Sequence, residues 1–160
     1  AIPGMPGLEH RVGGIEKEDL TGNISYDPDN HQHMVKTRAA KIDKISNSIP
    51  LQDLDQGADS GKVLILGWGS PYGAIKSAVK TLLEAGYEVS HAHLRYLNPF
   101  PKNLGDVLSK FDKVLIPEIN DGQLDILIRN KYLIPSIRLC KIKGLPFTTN
   151  EIIKKVKEIY

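Results

Sequence analysis

The chain has 160 residues, of which 41% are hydrophobic and 25% are charged, and its formal net charge is +2. This composition is typical of one soluble globular domain that buries roughly 70% of the surface of its unfolded chain. The nearly neutral charge, with basic residues spread over every predicted helix and strand, argues against nucleic acid as a partner.

The single cysteine, Cys140, excludes an internal disulfide and any iron–sulfur cluster ligated by this chain alone. No apolar run approaches the ~20 residues that a membrane span requires, and no signal-peptide pattern is present at the start. We therefore expect a cytoplasmic protein with no membrane partner.

Residues 1–61 are predicted to form an irregular N-terminal arm. Residues 1–23 contain five glycines and two prolines without helical or strand periodicity, which is typical of a loop. Asp27 and Pro28 are suited to a helix start, so we predict one sparse helix over about 28–46 that leans on a surface. Residues 48–61 are predicted to be a linker, with a short edge strand near Leu51.

From Lys62 the pattern becomes regular, and residues 62–160 are predicted to form an α/β domain. The apolar run at 63–66 indicates a strand buried on both faces, followed by a turn rich in glycine. A helix ending at Gly86 follows it. Its apolar stripe consists of Ile75, Ala78, Val79, Leu82 and Leu83.

Three further strands are predicted at 88–97, 113–120 and 136–142, each followed by a helix. The three helices carry apolar residues on one side: Leu104, Val107, Leu108 and Phe111 in the first, Leu124, Leu127 and Ile128 in the second, and Ile152, Ile153, Val156 and Ile159 in the third. Thr148 and Glu151 are spaced as a capping box for the last helix. Strands separated by such helices predict a three-layer, doubly wound, mostly parallel sheet.

The turn GWGSPYG, with Gly67, Gly69, Ser70 and Gly73, would let a backbone approach a pyrophosphate at a helix N-terminus. A dinucleotide site of this kind needs an acidic residue at the end of the second strand, where this sequence has Arg95 instead. An arginine at that position can bind the 2′-phosphate of NADP, so an NADP site is one interpretation of the turn. The alternative is a purely structural turn, and we expect no cofactor-binding residue.

The histidines and the cysteine provide no catalytic or metal-binding set. His91 and His93 share one face of a strand, but no third ligand is near them in sequence, so we interpret them as core or interface residues. Cys140 is predicted to be a small buried hydrophobic residue. No His–Asp pair is placed to activate Ser70, so we predict no catalytic residue and no metal ligand.

The segment RYLNPFP (95–101) follows the second predicted strand and therefore lies at the carboxyl edge of the sheet, where α/β folds place their contacts. Two prolines stiffen it, and arginine and tyrosine are favoured at interface hot spots. We expect Arg95, Tyr96, Asn98 and Phe100 to face a neighbouring domain or subunit. The alternative is that Phe100 covers the core of its own domain near the helix at 104–111.

Six sequence strings together resemble one known family. They are LEH (8–10), SYDPDNHQHM (25–34), LGWGSPYG (66–73), HAHLRYLNPFPKNL (91–104), PEINDGQL (117–124) and KGLPFT (143–148). They are similar to the C-terminal part of the alpha subunit of 2-oxoglutarate:ferredoxin oxidoreductases, within the 2-oxoacid:acceptor oxidoreductase family. The resemblance covers essentially the whole chain.

The resemblance implies a transketolase C-terminal-like α/β domain preceded by a linker. The parent enzymes oxidatively decarboxylate a 2-oxoacid with thiamine diphosphate and magnesium, form an acyl-CoA from coenzyme A, and pass electrons through an iron–sulfur cluster to ferredoxin. In this family the thiamine diphosphate lies between the pyrimidine-binding domain of the alpha subunit and the beta subunit. No position here matches those regions, so no active-site residue is carried over.

The resemblance therefore implies a fragment that is inactive alone and contributes architecture and contacts. Its expected partners are the remainder of the alpha subunit, the beta subunit and, through the whole complex, ferredoxin. A stand-alone nucleotide-binding or regulatory module that uses the turn at 67–73 is the alternative.

Overall fold

The computed structural model describes residues 2–10 and 12–160. These residues form two compact units, one ending at Ser48 and the other running from Ile49 to Tyr160. The second unit begins before the predicted Lys62, because backbone and side-chain hydrogen bonds attach residues 52–56 to it. The edge strand expected near Leu51 is replaced by one antiparallel bridge farther along, at Gln56.

The first unit contains helix α1, Pro28–Lys44, followed by a short 3₁₀ turn, Ile45–Asn47. The Asp27 carboxylate caps α1 by accepting a hydrogen bond from the Asp29 backbone N–H at 2.9 Å. This confirms the helix predicted from the Asp27–Pro28 start. No described residue of this unit is buried, so α1 is not held by a hydrophobic core of its own unit.

A small hairpin, closed by one antiparallel bridge, lies along α1. Its Glu16 carboxylate accepts hydrogen bonds from the Arg38 guanidinium at 2.9 and 3.2 Å and lies 2.6 Å from His31 Nδ1. The Asp19 carboxylate lies 2.7 Å from His33 Nε2. The sequence predicted only loop here, because these pairs join residues 14 to 22 positions apart.

The second unit is a four-stranded sheet with four helices. Its elements are β1 (Gly61–Trp68), α2 (Tyr72–Glu84), β2 (Val89–Leu94), α3 (Leu104–Leu108), β3 (Phe111–Glu118), α4 (Gln123–Tyr132), β4 (Ile137–Cys140) and α5 (Thr149–Ile159). The strand order is β2-β1-β3-β4, and every neighbouring pair is parallel. This confirms the predicted doubly wound α/β fold.

Two hydrophobic clusters lie on opposite faces of the sheet. Leu64 and Leu66 of β1 pack with residues of α3 and α4, whereas Val63 and Ile65 pack with residues of α2 and α5. The three predicted layers are therefore present. Because helices cover both faces, β1 is a continuous buried run rather than an alternating one.

Four predicted positions differ in the structure. Leu83 is 39% exposed and Leu127 is 49% exposed, because each is one residue, about 100° of helix rotation, from a buried leucine or isoleucine. Phe111 begins β3 instead of ending α3. Cys140 is exposed at the end of the edge strand β4, so the prediction that it is buried was wrong.

The last helix has the cap that the sequence predicted. The Thr148 hydroxyl accepts the Glu151 backbone N–H at 3.4 Å, and the Glu151 carboxylate accepts the Thr148 backbone N–H at 2.7 Å. Among the described residues, no helix is both long and apolar enough to cross a membrane.

Candidate functional site

The crevice between the carboxyl ends of β1 and β3 is where ligands bind in open α/β sheets, because the helices that follow these strands leave toward opposite faces. In this chain Trp68 Nε1 lies 3.4 Å from Glu118 Oε2 across that crevice. Glu118 is buried and also accepts the backbone N–H groups of Leu124 at 2.9 Å and Asp125 at 3.0 Å. The carboxylate therefore caps the N-terminus of α4 and is not free to accept a hydrogen bond from a ribose hydroxyl.

Each glycine of the predicted turn has a different environment. A Cβ on Gly67, which is in β1, would lie 2.5 Å from Ile75 Cδ1 and 2.9 Å from His93 Nδ1. Gly69 has a φ of +64°, and Gly73 is in the first turn of α2 with open space around it. Close packing and a left-handed backbone therefore account for Gly67 and Gly69, which supports the structural interpretation of this turn.

The two strand histidines pack around Tyr72. The Tyr72 ring centroid lies 5.5 Å from that of His91 and 4.8 Å from that of His93. Burial lowers the pKa of His91 to about 4 against the opposing effect of Asp55, and burial also lowers the pKa of His93. Both rings are therefore neutral at pH 7. Within the described residues, no three His, Cys, Asp or Glu side chains converge to hold a metal ion.

The outer edge of β2 is covered by residues 52–56, here called the edge segment. The Asn103 amide group pairs with the Gln52 backbone, accepting its N–H at 2.7 Å and donating to its C=O at 2.9 Å. Farther along, the Asp55 N–H donates to the His91 carbonyl at 2.8 Å, and the His91 N–H donates to the Gln56 carbonyl at 2.9 Å. Sequence reasoning missed this attachment because Gln52 and Asn103 are 51 positions apart.

The loop at 95–101 divides its four predicted interface residues between two environments. Arg95, Tyr96 and Asn98 are exposed, with 41% of Tyr96 accessible. Phe100 is only 6% exposed, lies in the core cluster of α3 and α4, and has its ring centroid 6.0 Å from that of Tyr132. Phe100 thus adopts the alternative position, over the core of its own chain, and three residues remain available for contact.

A cleft of about 620 Å³, here called the edge cleft, opens at the carboxyl ends of β1 and β2. A second groove of about 220 Å³ shares Asp55, His93 and Arg95 with it and continues between the edge segment and the loop at 95–101. The Tyr72 hydroxyl, which lines the edge cleft, donates to Asp55 Oδ1 at 3.2 Å. The edge cleft is the candidate site.

Cys140 is a poor candidate nucleophile despite its exposure. Partial burial, together with the nearby Glu118 and Asp121 carboxylates, raises the pKa of the thiol. A thiol with a raised pKa remains protonated at pH 7 and is a weak nucleophile. We therefore assign Cys140 no catalytic role.

No protein-family model matches the chain. It is 49% identical over 152 residues to 2-oxoglutarate oxidoreductase subunit KorA of Mycobacterium tuberculosis, which covers 95% of the chain and 23% of that protein. It is 30% identical over 158 residues to 2-oxoacid:ferredoxin oxidoreductase 1, subunit alpha, of Aeropyrum pernix, covering 90% of the chain and 24% of that protein. The chain spans about a quarter of the length of these curated relatives.

A solved structure of 2-oxoglutarate:ferredoxin oxidoreductase from Magnetococcus marinus, with 2-oxoglutarate, coenzyme A and succinyl-CoA bound, is also similar. The TM-score is 0.89 at 31% sequence identity, and the match covers 99% of this chain and 28% of that chain. All of these relatives are oxidoreductase subunits, so the alternative of a stand-alone nucleotide-binding module is not supported. The shared sequence and fold show that the chain belongs to the family of 2-oxoacid:ferredoxin oxidoreductase alpha subunits.

Proposed function

We propose that the chain is the C-terminal, non-catalytic part of the alpha subunit of a thiamine-diphosphate-dependent 2-oxoacid:ferredoxin oxidoreductase, with 2-oxoglutarate as the 2-oxoacid. The whole enzyme would decarboxylate this acid oxidatively to an acyl-CoA and reduce ferredoxin in the cytoplasm. The observation that carries the proposal is the 49% identity, over 95% of the chain, to a 2-oxoglutarate oxidoreductase subunit.

The residues of this chain do not fit the iron–sulfur cluster or the magnesium ion of the parent enzyme. An iron–sulfur cluster needs about four thiolates, and Cys140 is the single cysteine here. Magnesium, which accompanies thiamine diphosphate, needs converging oxygen ligands, and no group of three acidic or histidine ligands forms among the described residues. We therefore propose that the iron–sulfur cluster and the magnesium ion are held by other parts of the enzyme.

The first unit supports a role in contacts with the rest of the alpha subunit and the beta subunit. It leaves large apolar side chains exposed, including Leu20 at 99%, Tyr26 at 86% and Ile2 at 71%. A unit in which none of the described residues is buried gains little stability from its own packing, whereas burying such side chains against another surface is favourable. We propose that the first unit, which ends at Ser48, docks on the remainder of the enzyme, and that residues 49–160 form a separate α/β domain.

The loop at 95–101 supports a second contact. Arg95, Tyr96 and Asn98 are exposed on a segment that buried prolines at 99 and 101 hold against the domain. A stiff loop loses little entropy on docking, and arginine and tyrosine are common at interface hot spots. We propose that these three side chains face another domain or subunit.

Expression of the complete alpha subunit with its beta subunit tests the assignment. We expect the complex to reduce ferredoxin with 2-oxoglutarate and coenzyme A. The 160-residue chain alone should not catalyse this reaction and should not bind thiamine diphosphate. Arg95→Ala with Tyr96→Ala should lower the yield of co-purified beta subunit, whereas Lys102→Ala, an exposed neighbour, should not. Activity of the isolated chain, or a complex inactive toward every 2-oxoacid, would contradict the proposal.

A further inference from the structure

The edge cleft has the size and composition of a site for a small molecule. Its volume of about 620 Å³ is within the range of roughly 300–1,000 Å³ that such sites occupy. Trp68, Leu94 and Leu97 supply apolar surface, and a few polar groups converge on the same space. The crevice at the end of β3 is not part of it, since Trp68 and Glu118 already span that position.

The polar lining carries one charge of each sign. Arg95 contributes a guanidinium and Asp55 a carboxylate, and burial lowers the pKa of His93, so that this ring is neutral at pH 7. The lining is therefore neutral in total but strongly dipolar. A ligand with a single charge would be attracted by one of these groups and repelled by the other.

Within the described residues, Arg95 and Asp55 do not form an ion pair with each other. Among the arginines of the described residues, Arg38, Arg129 and Arg138 form ion pairs, whereas Arg95 forms none there. Among the described residues, the Asp55 carboxylate accepts a hydrogen bond only from the Tyr72 hydroxyl, at 3.2 Å. A partner with both a carboxylate and an ammonium group would complete two charge-assisted interactions that the chain leaves unmade.

The positions of Asp55 and Arg95 are held by backbone structure. The Asp55 N–H donates to the His91 carbonyl at 2.8 Å, which attaches the edge segment to β2. Arg95 directly follows Leu94, the last residue of the same strand. The backbone of β2 thus fixes both residues, Asp55 through a hydrogen bond and Arg95 through the chain itself, so a ligand can meet them without a change in the fold.

We propose that the edge cleft binds a small zwitterion with an apolar body, of the class of an aromatic or large aliphatic amino acid. Its carboxylate pairs with Arg95, its ammonium group pairs with Asp55, and its side chain packs against Trp68 and Leu97. Arg95 is also one of the three side chains proposed above to face another domain or subunit, so the ligand and that contact would use Arg95 in turn. The site takes no part in the chemistry of the proposed enzyme, and its existence does not depend on that assignment.

Fluorescence of the 160-residue chain tests the proposal directly, because Trp68 is its single tryptophan and lines the cleft. L-phenylalanine is compared with phenylacetate, which lacks the ammonium group, and with phenethylamine, which lacks the carboxylate. For a ligand of this size we expect a Kd of roughly 1 mM for phenylalanine. Each of the two truncated probes should bind about tenfold more weakly.

Two variants assign the charges. Arg95→Gln should remove the preference for phenylalanine over phenethylamine, and Asp55→Asn should remove its preference over phenylacetate while keeping an acceptor for Tyr72. Lys102→Gln, outside the cleft, should change neither preference. Equal binding of the three probes, no saturable change with any of them, or a Trp68 response only to added beta subunit would overturn the proposal, the last by identifying a protein occupant.

Discussion

Replacement of Gly67 by alanine is the sharpest test of how β1 and α2 pack. The added Cβ would lie 2.5 Å from Cδ1 of the fully buried Ile75 side chain and 2.9 Å from His93 Nδ1. Ile75 is fully buried, so rotation of χ2 can move Cδ1 away only into space that neighbouring core side chains already fill. Overpacking of this kind costs about 1–3 kcal/mol, so we expect the free energy of unfolding to fall by that amount.

Urea unfolding followed by Trp68 fluorescence measures this loss in the second unit. With a denaturant slope of about 1–3 kcal/mol per M, the midpoint should fall by roughly 1 M. The other two glycines of the turn are matched controls. Gly73→Ala should stabilise the chain by about 0.4–1 kcal/mol, because it meets open space in a helix. Gly69→Ala should cost about 1–2 kcal/mol through its φ of +64° alone.

A second-site change separates the clash from other causes. Ile75→Val removes the Cδ1 atom at a cost of about 0.5–1.5 kcal/mol by itself. If the contact is responsible, the double variant Gly67→Ala with Ile75→Val should be more stable than the sum of the single effects by about 1 kcal/mol. Simple additivity, or a Gly67→Ala midpoint equal to that of the natural chain, would refute the packing argument.

Three other changes test the remaining contacts. The Arg38 guanidinium lowers the pKa of Glu16 to about 2 from 4.5. The stabilisation of the hairpin by the ionised Glu16 is therefore present above pH 4.5 and is lost as the pH falls toward 2. NMR shifts of the hairpin should follow this loss, and Glu16→Gln should abolish the pH dependence. Asn103→Ala should cost about 1–3 kcal/mol and speed hydrogen exchange in the edge segment, whereas unchanged exchange would show that the amide pairing is unimportant. Phe100→Ala should cost about 3–5 kcal/mol of stability and Tyr96→Ala less than about 0.5; the opposite order would mean that the burial of Phe100 has been misassigned.

Local patterns of the sequence determined the elements of the second unit. The apolar run at 63–66, the helical stripe from Ile75 to Leu82 and the Thr148–Glu151 capping box each arise from neighbours a few positions apart. Such patterns depend on the period of a helix or strand and on local hydrogen bonds, which any chain with these residues would share. The alternation of strands and helices was enough to predict a parallel, three-layer fold.

Only the tertiary structure decided which polar and edge residues meet. Cys140 was expected inside, but β4 is the last strand of the sheet and leaves it exposed, and strand order cannot be deduced from periodicity. Phe100 had two possible environments in the sequence, and the position of Tyr132 on α4 placed it in the core. The edge cleft itself exists because Asp55 is hydrogen-bonded to a strand 36 positions later in the chain. Contacts of such long separation depend on how whole elements pack together, and no local pattern of residues records them.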